Sequence, residues 1–181
     1  MASYCQYVLT HPEDEYNKHY HDTEYGFPPE DDNLLFERLI LEINQAGLSW
    51  ITILKKRENF RRAYDGFDID AVARYMESDR ARLLSNAGII RNKLKINAAI
   101  ENARRILALR REFGSFKGWL DAHHPLALEE WTKLFKQNFL FTGGEIVKEF
   151  LMSTGYLPGA HDTDCPVYSI IVEQQPPWTV R

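Results

Sequence analysis

Apolar residues near the start of the chain recur at the three- and four-residue spacing of an α-helix. They are Leu34, Leu35, Leu39, Ile43 and Ala46. Asp31 or Asp32 can cap the start of this helix, and Gly47 suits its end. Ser49 can begin a second helix, which runs to about Tyr64. The pattern therefore predicts two consecutive helices with a tight break between them.

Helical spacing continues along the rest of the chain, and no segment shows the sustained alternation typical of a strand. The further predicted helices cover residues 13–20, 68–76, 78–84, a long segment after the Asn86–Gly88 turn to about Phe113, a segment from Ser115 to before Pro125, residues 128–138 and residues 145–154. We predict loop after Gly155 and a loose tail over about 170–181. The predicted fold is all-α: one domain of residues 1–181, a compact bundle of about eight helices.

Composition supports a folded domain, because 44% of the 181 residues are hydrophobic. No apolar run approaches the roughly 20 residues that span a bilayer, so we predict no membrane association. The first residues lack a basic region followed by an apolar one, which favours a cytoplasmic protein. There a disulfide between Cys5 and Cys165 is unfavourable. Nothing in the pattern requires more than a monomer.

Charge is distributed unevenly along the chain. Residues 55–111 contain 15 Lys and Arg against 7 Asp and Glu, although the whole chain carries a formal charge of −4. Such asymmetry is typical of a basic face that meets a polyanion, but exposed helix faces also collect charge for solubility.

The break between the first two predicted helices contains the most informative stretch, Leu41–Lys56. Within nine residues it places Glu42, Gln45, Gly47, Leu48 and Trp50. A carboxylate buried among aromatic side chains is unfavourable unless it serves a structure or a ligand. We interpret Glu42 as the bottom of a binding pocket.

Five aromatic residues are candidates for a stacking box around a planar ligand: Tyr7, Tyr16, Tyr20, Tyr25 and Trp50. An electron-rich box favours a cationic ring. The alternative is that these side chains fill the core. Four tyrosines within the polar first 30 residues weaken that alternative.

Two cysteines and two histidines suggest a metal site. His161 and Cys165 have an H-x3-C spacing that lets both bind one zinc, and Cys5 and His21 could complete a closed, structural tetrahedron. The alternative is four unrelated polar residues, since zinc motifs usually pair their ligands more closely.

The turn within Leu84–Lys95 is a candidate phosphate site. Backbone N–H groups around Gly88, together with the N-terminal end of the following helix, can bind a phosphate, and Arg91, Lys93 and Lys95 add charge. The alternative is an ordinary connection between antiparallel helices.

Four blocks together resemble the 3-methyladenine DNA glycosylase I family, in the right order and over most of the chain. They are YHDTEYGFP (20–28), QAGLSWITILKKRENF (45–60), AGIIRNK (87–93) and the H-x3-C pair (161–165). The resemblance implies an all-α helix-hairpin-helix glycosylase fold with a structural zinc that joins the two ends.

The resemblance also implies a role for each matching position. Glu42 reads the flipped base, Tyr20 and Trp50 stack on it, and Tyr25 stands where relatives often have tryptophan. Leu48 wedges into the DNA stack. The implied zinc ligands are Cys5, His21, His161 and Cys165, and residues 86–91 match the phosphate-binding hairpin.

Three departures from the family pattern concern the pocket. A longer segment between Cys5 and His21 leaves Tyr16 and Asn17 competing for one pocket position. The last helix carries Glu145, Lys148 and Glu149 in place of small, hydroxyl and tyrosine residues. The chain before Phe139 is short. Base preference, including whether 3-methylguanine is accepted, is therefore not determined by the resemblance.

The implied activity is hydrolysis of 3-methyladenine from alkylated double-stranded DNA, which releases the free base. No lysine stands out as an imine-forming nucleophile, which predicts a monofunctional enzyme without strand cleavage. One rival is a damage-sensing module with an inactive pocket. The other is a zinc-stabilised scaffold for protein partners, which would lack salt-dependent DNA affinity.

Overall fold

The computed structural model describes residues 3–180, and helices are the only regular secondary structure in that range. The prediction of an all-α fold is confirmed. Residues 3–180 form eleven α-helices, where the sequence predicted about eight. They are α1 (Tyr4–Thr10), α2 (Glu15–Thr23), α3 (Asp32–Gln45), α4 (Trp50–Ala63), α5 (Ile69–Ala73), α6 (Glu77–Ser85), α7 (Lys93–Phe113), α8 (Phe116–His123), α9 (Leu128–Asn138), α10 (Gly144–Ser153) and α11 (Pro166–Glu173), with short 3-10 helices at Asp65–Phe67 and Pro177–Thr179.

Helix α3 forms the centre of the core. Every residue from Leu35 to Asn44 is buried, and α4, α5, α7, α8 and α10 pack around the helix. A helix surrounded on all sides is normally apolar throughout. The buried charged residues Glu37, Arg38 and Glu42 are therefore exceptions. Glu37 and Arg38 belong to an ion-pair network, and Glu42 lines a cavity described below.

The helix starts follow from capping side chains that the sequence displays. The Asp31 carboxylate accepts the N–H groups of Asn33 (2.7 Å) and Leu34 (3.1 Å). The Asp68 side chain caps α5 in the same way. Ser49 stands at the N-cap of α4 but makes no capping hydrogen bond, and its hydroxyl pairs with that of Thr52 at 2.7 Å. The predicted boundaries of α3 and α4 agree with the structure to within one residue.

Two helices that the sequence analysis missed lie at the ends of the chain. Helix α1 has only seven residues, and α11 starts with Pro166 in a segment predicted as loop. Val167 and Ile171 bury one face of α11, and the Trp178 N–H donates to the Gly155 carbonyl at 3.1 Å. The prediction of a loose tail is thus wrong for this part of the chain. A helix this short is not stable by local propensity alone, and packing against the core stabilises it.

An ion-pair network ties α2, α3 and α4 together beside the site. The Arg57 guanidinium binds both Glu24 carboxylate oxygens at 2.7 Å and the Glu37 carboxylate at 2.5 Å. Arg38 reaches Glu24 at 3.1 Å. Because the network is largely buried, loss of one partner would leave an uncompensated charge. It fixes the elements that carry the site residues relative to one another.

Candidate functional site

A cavity of about 510 Å³ opens where α1, α2, α3, α4, α10 and the loop before α11 meet. Its walls include Tyr20, Tyr25, Glu42 and Trp50, four of the residues predicted for the pocket. The volume lies within the range typical of small-molecule sites, and a few polar groups converge within largely apolar walls.

The aromatic side chains form a continuous wall. Ring centroids lie 5.1 Å apart for Tyr20 and Trp50, and 5.8 Å apart for Tyr20 and Tyr25. Tyr4, which the sequence analysis did not select, packs edge-on against Tyr25 at 5.2 Å. Tyr20 is 2% exposed and Tyr25 6% exposed. The electron-rich wall is thus held rigidly in the shape of a slot.

Glu42 lies at the inner end of this cavity. It is 5% exposed, and no hydrogen bond from the described residues holds its carboxylate. The pKa of Glu42 is raised to about 8, and burial is the largest cause of this shift. The negative charge of Glu149 contributes to the same shift, and the positive charge of Arg38 opposes it. A buried carboxylate without a protein partner is suited to accept hydrogen bonds from a ligand and to offset a positive charge on it.

Tyr7 and Tyr16 lie outside the cavity, contrary to the prediction. The Tyr7 hydroxyl donates to Asp14 at 2.9 Å, and Tyr16 is 53% exposed. On α2 the buried positions are Asn17, Tyr20 and His21, so Tyr16 stands about 100° away from the buried face. The Asn17 amide oxygen accepts the Tyr4 hydroxyl at 2.8 Å, which places Asn17 behind the cavity wall.

A second cleft of about 560 Å³ lies on the other side of Tyr20 and contains Tyr16. Its charged groups include Glu24, Arg57 and Arg61, which already pair with one another or with Glu37. Since these charges are satisfied within the protein, we assign the ligand site to the first cavity.

The four predicted metal ligands come together in the structure. The donor atoms of Cys5, His21, His161 and Cys165 all lie within 4.8 Å of one another. The Cys5 sulfur is 3.3 Å from His21 Nε2 and 3.6 Å from His161 Nδ1, and the Cys165 sulfur is 3.6 Å from His161 Nδ1 and 3.9 Å from His21 Nε2. A tetrahedral zinc with ordinary bond lengths places its ligand atoms about 3.3–3.8 Å apart. The four contacts of 3.3–3.9 Å are close to that spacing, so the cluster fits that metal.

The outer nitrogens of both histidines have partners that fix their tautomers. His161 Nε2 lies 2.7 Å from the Tyr25 carbonyl oxygen and donates to it, which leaves Nδ1 as the lone-pair atom that faces the cluster. His21 Nδ1 lies 2.8 Å from the Asp22 carboxylate, which leaves Nε2 facing the cluster. Such outer partners are typical of metal-binding histidines. The Tyr25 carbonyl also connects the cluster to the cavity wall.

The turn between α3 and α4 presents Leu48 to solvent. Gly47 has a φ of +82°, and the Leu48 N–H donates to the Gln45 carbonyl at 2.7 Å. The Gln45 side chain returns a hydrogen bond to the Leu48 carbonyl at 2.9 Å. Leu48 is 39% exposed although it is apolar. The turn holds this side chain beside the mouth of the cavity, to which Gln45 and Trp50 contribute.

The connection between α6 and α7 forms the predicted turn. The Gly88 N–H donates to the Asn86 side chain at 2.8 Å, so this group stabilises the turn and is not free for a ligand. A Cβ atom at Gly88 would lie 3.0 Å from that side chain, which explains the glycine. Arg91 and Lys93 are exposed, and their N–H groups have no acceptor among residues 3–180. These two residues therefore remain candidates to bind an anion.

Lys95 joins this turn to the one that carries Leu48. Its ammonium group donates to the carbonyls of Asn44 (2.8 Å) and Ala46 (2.7 Å), although the residue is only 5% exposed. Burial lowers the pKa of Lys95. The two carbonyls lie at the C-terminal end of α3, where a cation is favourable. The sequence analysis considered Lys95 only for its charge.

We expect Lys95→Met to reduce the free energy of unfolding by about 1–3 kcal/mol, because two buried carbonyls lose their donor. For a chain of this size that corresponds to a melting temperature lower by roughly 2–4 °C per kcal/mol. Differential scanning calorimetry measures the change. Lys93→Met, two positions away and exposed, is the matched control and should melt with the wild type. Equal melting temperatures for all three proteins would contradict the role of Lys95.

Comparison with known proteins identifies the family. A family model described as methyladenine glycosylase matches residues 10–127. DNA-3-methyladenine glycosylase 1 of Escherichia coli (strain K12) is 39% identical over 168 residues, which cover 82% of this chain and 89% of that protein. DNA-3-methyladenine glycosylase of Haemophilus influenzae (strain ATCC 51907 / DSM 11121 / KW20 / Rd) is 36% identical over 166 residues, with 81% and 89% covered.

Solved structures agree with the sequence matches. The Staphylococcus aureus 3-methyladenine DNA glycosylase I, solved to explain 3-methyladenine recognition, superposes with a TM-score of 0.79 at 31% identity, and 86% of this chain and 93% of that chain are covered. No helix within residues 3–180 has the length and apolar character needed to cross a membrane. The shared fold and the identity over most of both chains show that this protein belongs to the methyladenine glycosylase family.

Proposed function

We propose that this protein excises 3-methyladenine from alkylated double-stranded DNA as a monofunctional glycosylase. The observation that carries the proposal is Glu42, a buried carboxylate without a hydrogen-bond partner among the described residues, inside an aromatic slot. The names of the relatives, all 3-methyladenine glycosylases, support the same substrate. As part of this proposal, the protein acts as a monomer in the cytoplasm.

The chemistry needs little help from strong acids or bases. Methylation at N3 gives the adenine a positive charge, which weakens its bond to deoxyribose. Water adds to C1′ and releases one proton to the solvent while the C1′–N9 bond breaks, and the electron pair of that bond leaves with the base and neutralises it. Glu42 stabilises the extruded cationic base by accepting hydrogen bonds from its edge, and Tyr20 and Trp50 stack on its faces. These contacts form only with the flipped nucleotide, so their binding energy favours the flipped state.

DNA contacts are assigned to the two turns that Lys95 connects. Leu48 enters the base stack at the position that the flipped nucleotide leaves, and Arg91 and Lys93 bind backbone phosphates at the start of α7. Gly88 contributes by allowing the tight turn that presents Arg91 and Lys93. The Lys95 hydrogen bonds to Asn44 and Ala46 support this arrangement, because they connect the turn that carries Leu48 to the turn that carries Arg91 and Lys93. The α6–α7 connection then serves as a helix-hairpin-helix motif.

The metal cluster is assigned to one structural zinc. Four protein ligands leave no position for water, so the metal supplies no chemistry to the reaction. It joins α1 and α2 to the loop before α11, and thereby holds Tyr4 and Tyr25 in the cavity wall. The separations of the four donor atoms and the outer partners of both histidines support this assignment.

Release of bases from methylated DNA tests the function directly. Purified protein is incubated with methylated duplex DNA, and released bases are identified by chromatography and mass spectrometry. We expect 3-methyladenine and no strand scission. Borohydride added during turnover should trap no covalent adduct, and an adduct would contradict the monofunctional mechanism. Binding of free 3-methyladenine without any excision would instead identify a damage-sensing module.

We expect Leu48→Ala to slow excision from duplex DNA by about tenfold or more, because the wedge offsets a few kcal/mol of unstacking. Affinity for free 3-methyladenine should not change, since that ligand requires no flipping. Single-turnover excision and titration with the free base measure the two quantities. Leu34→Ala, an exposed leucine at the other end of α3, is the control. A Leu48→Ala protein with wild-type excision would rule out the wedge.

A further inference from the structure

Helix α10 brings a second carboxylate into the cavity. Glu149 lines the same space as Glu42, although the two residues belong to different helices. The Tyr25 hydroxyl donates to Glu149 Oε2 at 3.1 Å, and Tyr25 is itself buried in the cavity wall. Glu149 is therefore held at the slot and does not extend into solvent.

Among the described residues, no cation forms a salt bridge with either carboxylate. Lys148 also lines the cavity, but it pairs with Glu145 at 3.5 Å. Arg38 directs its guanidinium to Glu24 and to the Ser153 carbonyl. Two carboxylates that line one cavity without a salt-bridge partner are unfavourable when both are ionised, and a cationic ligand would relieve that cost.

We propose that Glu149 is a specificity-determining residue that makes this cavity favour positively charged alkylated purines over neutral bases of the same shape. The inference rests on the proposed function, because it concerns the choice of base at the same site. Glu149 differs from Glu42 in its task. Glu42 lies at the inner end and reads the base edge, whereas Glu149 adds negative charge to the wall that Tyr25 forms.

Charge on the ligand decides how much Glu149 contributes. A cationic base gains attraction to both carboxylates and to the faces of the tyrosine and tryptophan rings. A neutral isostere gains only stacking and hydrogen bonds, while both carboxylates still lose solvent. The second carboxylate therefore increases the difference in affinity between a cationic base and a neutral base of the same shape. This difference depends on charge and requires no change in the shape of the cavity.

Glu149 also acts on Glu42. The titratable and charged groups around Glu42 are Tyr4 on α1, Tyr20 and Tyr25 at α2, Arg38 on α3, Glu145, Lys148 and Glu149 on α10, and Asp162 in the loop before α11. After burial, Glu149 is the largest cause of the raised pKa of Glu42. The negative charge of Glu149 is thus one of the physical causes that keep the pKa of Glu42 high.

Glu149→Gln tests the proposal, because the amide keeps an acceptor for Tyr25 and removes the charge. The two substrates are duplexes that contain 3-methyladenine or its neutral isostere 3-deaza-3-methyladenine, in which carbon replaces N3. We expect excision of 3-methyladenine at pH 9 to fall about tenfold, the factor that corresponds to 1.4 kcal/mol of attraction. Affinity for the isostere duplex should stay within about twofold of the wild type. Glu129→Gln, on an exposed helix start outside the cavity, controls for lost surface charge.

The pH profile provides a second readout that a purely structural role would not alter. Wild-type kcat/KM should rise with pH as Glu42 loses its proton. In Glu149→Gln the rising limb should lie at lower pH, because Glu42 loses a neighbouring negative charge. The plateau above the limb should be lower, because the cationic base loses one carboxylate.

Three outcomes are informative. A lower plateau together with a limb at lower pH supports the proposal. Wild-type rates and limb in Glu149→Gln, with a loss only in Glu149→Ala, would show that Glu149 merely positions Tyr25, and would overturn it. If the wild-type protein excises no 3-methyladenine at all, the proposed function fails before Glu149 is tested.

Discussion

Replacing Glu42 by glutamine is expected to slow excision of 3-methyladenine by about 100- to 1,000-fold, the loss typical of removing one preorganised electrostatic group. The substitution keeps the size of the side chain and removes the charge that faces the cationic base. Single-turnover excision from a defined duplex measures the effect. Glu112→Gln, exposed near the end of α7, is the control and should retain wild-type rates.

The same substitution should change the dependence of activity on pH. Burial and the nearby Glu149 raise the pKa of Glu42 to about 8 in the empty cavity. Wild-type kcat/KM should therefore increase as pH rises through the region near 8, because the ionised form binds the cation. In Glu42→Gln the part of this increase that belongs to Glu42 should disappear. A glutamine variant with a wild-type rate and profile would refute the role of Glu42.

The free energy of unfolding should fall as pH rises, whereas the activity increases. The folded protein holds the Glu42 proton up to about pH 8, whereas the unfolded chain releases it near the ordinary value of 4.5. The free energy of unfolding therefore falls as pH rises between these values. Glu42→Gln does not pay this cost, so above pH 8 it should be more stable than the wild type by on the order of a few kcal/mol. Urea unfolding at pH 5 and pH 9 compares the two proteins.

Loss of the metal cluster is expected to have the largest effect on stability. Cys165→Ser should reduce bound zinc from one per chain to a small fraction, and the melting temperature should fall by roughly 6–20 °C. This follows from a loss of roughly 3–5 kcal/mol at about 2–4 °C per kcal/mol. Elemental analysis and calorimetry measure the two quantities. The loss is smaller than the binding energy of zinc-finger peptides, since the helical core remains.

His19→Ala is the matched control for the metal variant. His19 lies on the same helix as His21, two residues earlier, but its side chain is 72% exposed. It should keep both zinc and melting temperature. If the wild-type protein carries no zinc after growth with the metal and Cys165→Ser melts with it, the cluster is an ordinary group of polar side chains.

Much of the helical framework could be predicted because its signals are local. Asp31 and Asp68 cap helices wherever the chain places them, and Gly114, with a φ of +80°, ends α7 as its residue type suggests. Helix α11 had a signal as well, a proline at its first position followed by apolar residues. That signal was outweighed by the loop-like composition before it. Seven- and eight-residue helices are stable only when docked, which is a tertiary property.

The cavity could be predicted in part for the same reason. Glu42 and Trp50 stand at a helix junction, where a short segment brings them together. Tyr4 and Tyr7 are three residues apart on a short helix, and their residue types do not show which one faces Tyr25. Only the packing of α1 decides it, through the hydrogen bond from Tyr4 to Asn17. The charge of Glu149 was visible in the sequence, but its bond to Tyr25 spans 124 positions.

The metal cluster has a consequence for the order in which the protein is made. Its ligands come from residues 5 and 21 at one end and residues 161 and 165 at the other. A ribosome that has released α3 to α9 has already delivered most of the core, yet the slot for the base still lacks Glu149 and the loop that clamps Tyr25. The complete wall of the slot therefore requires that residues up to Cys165 have been synthesised.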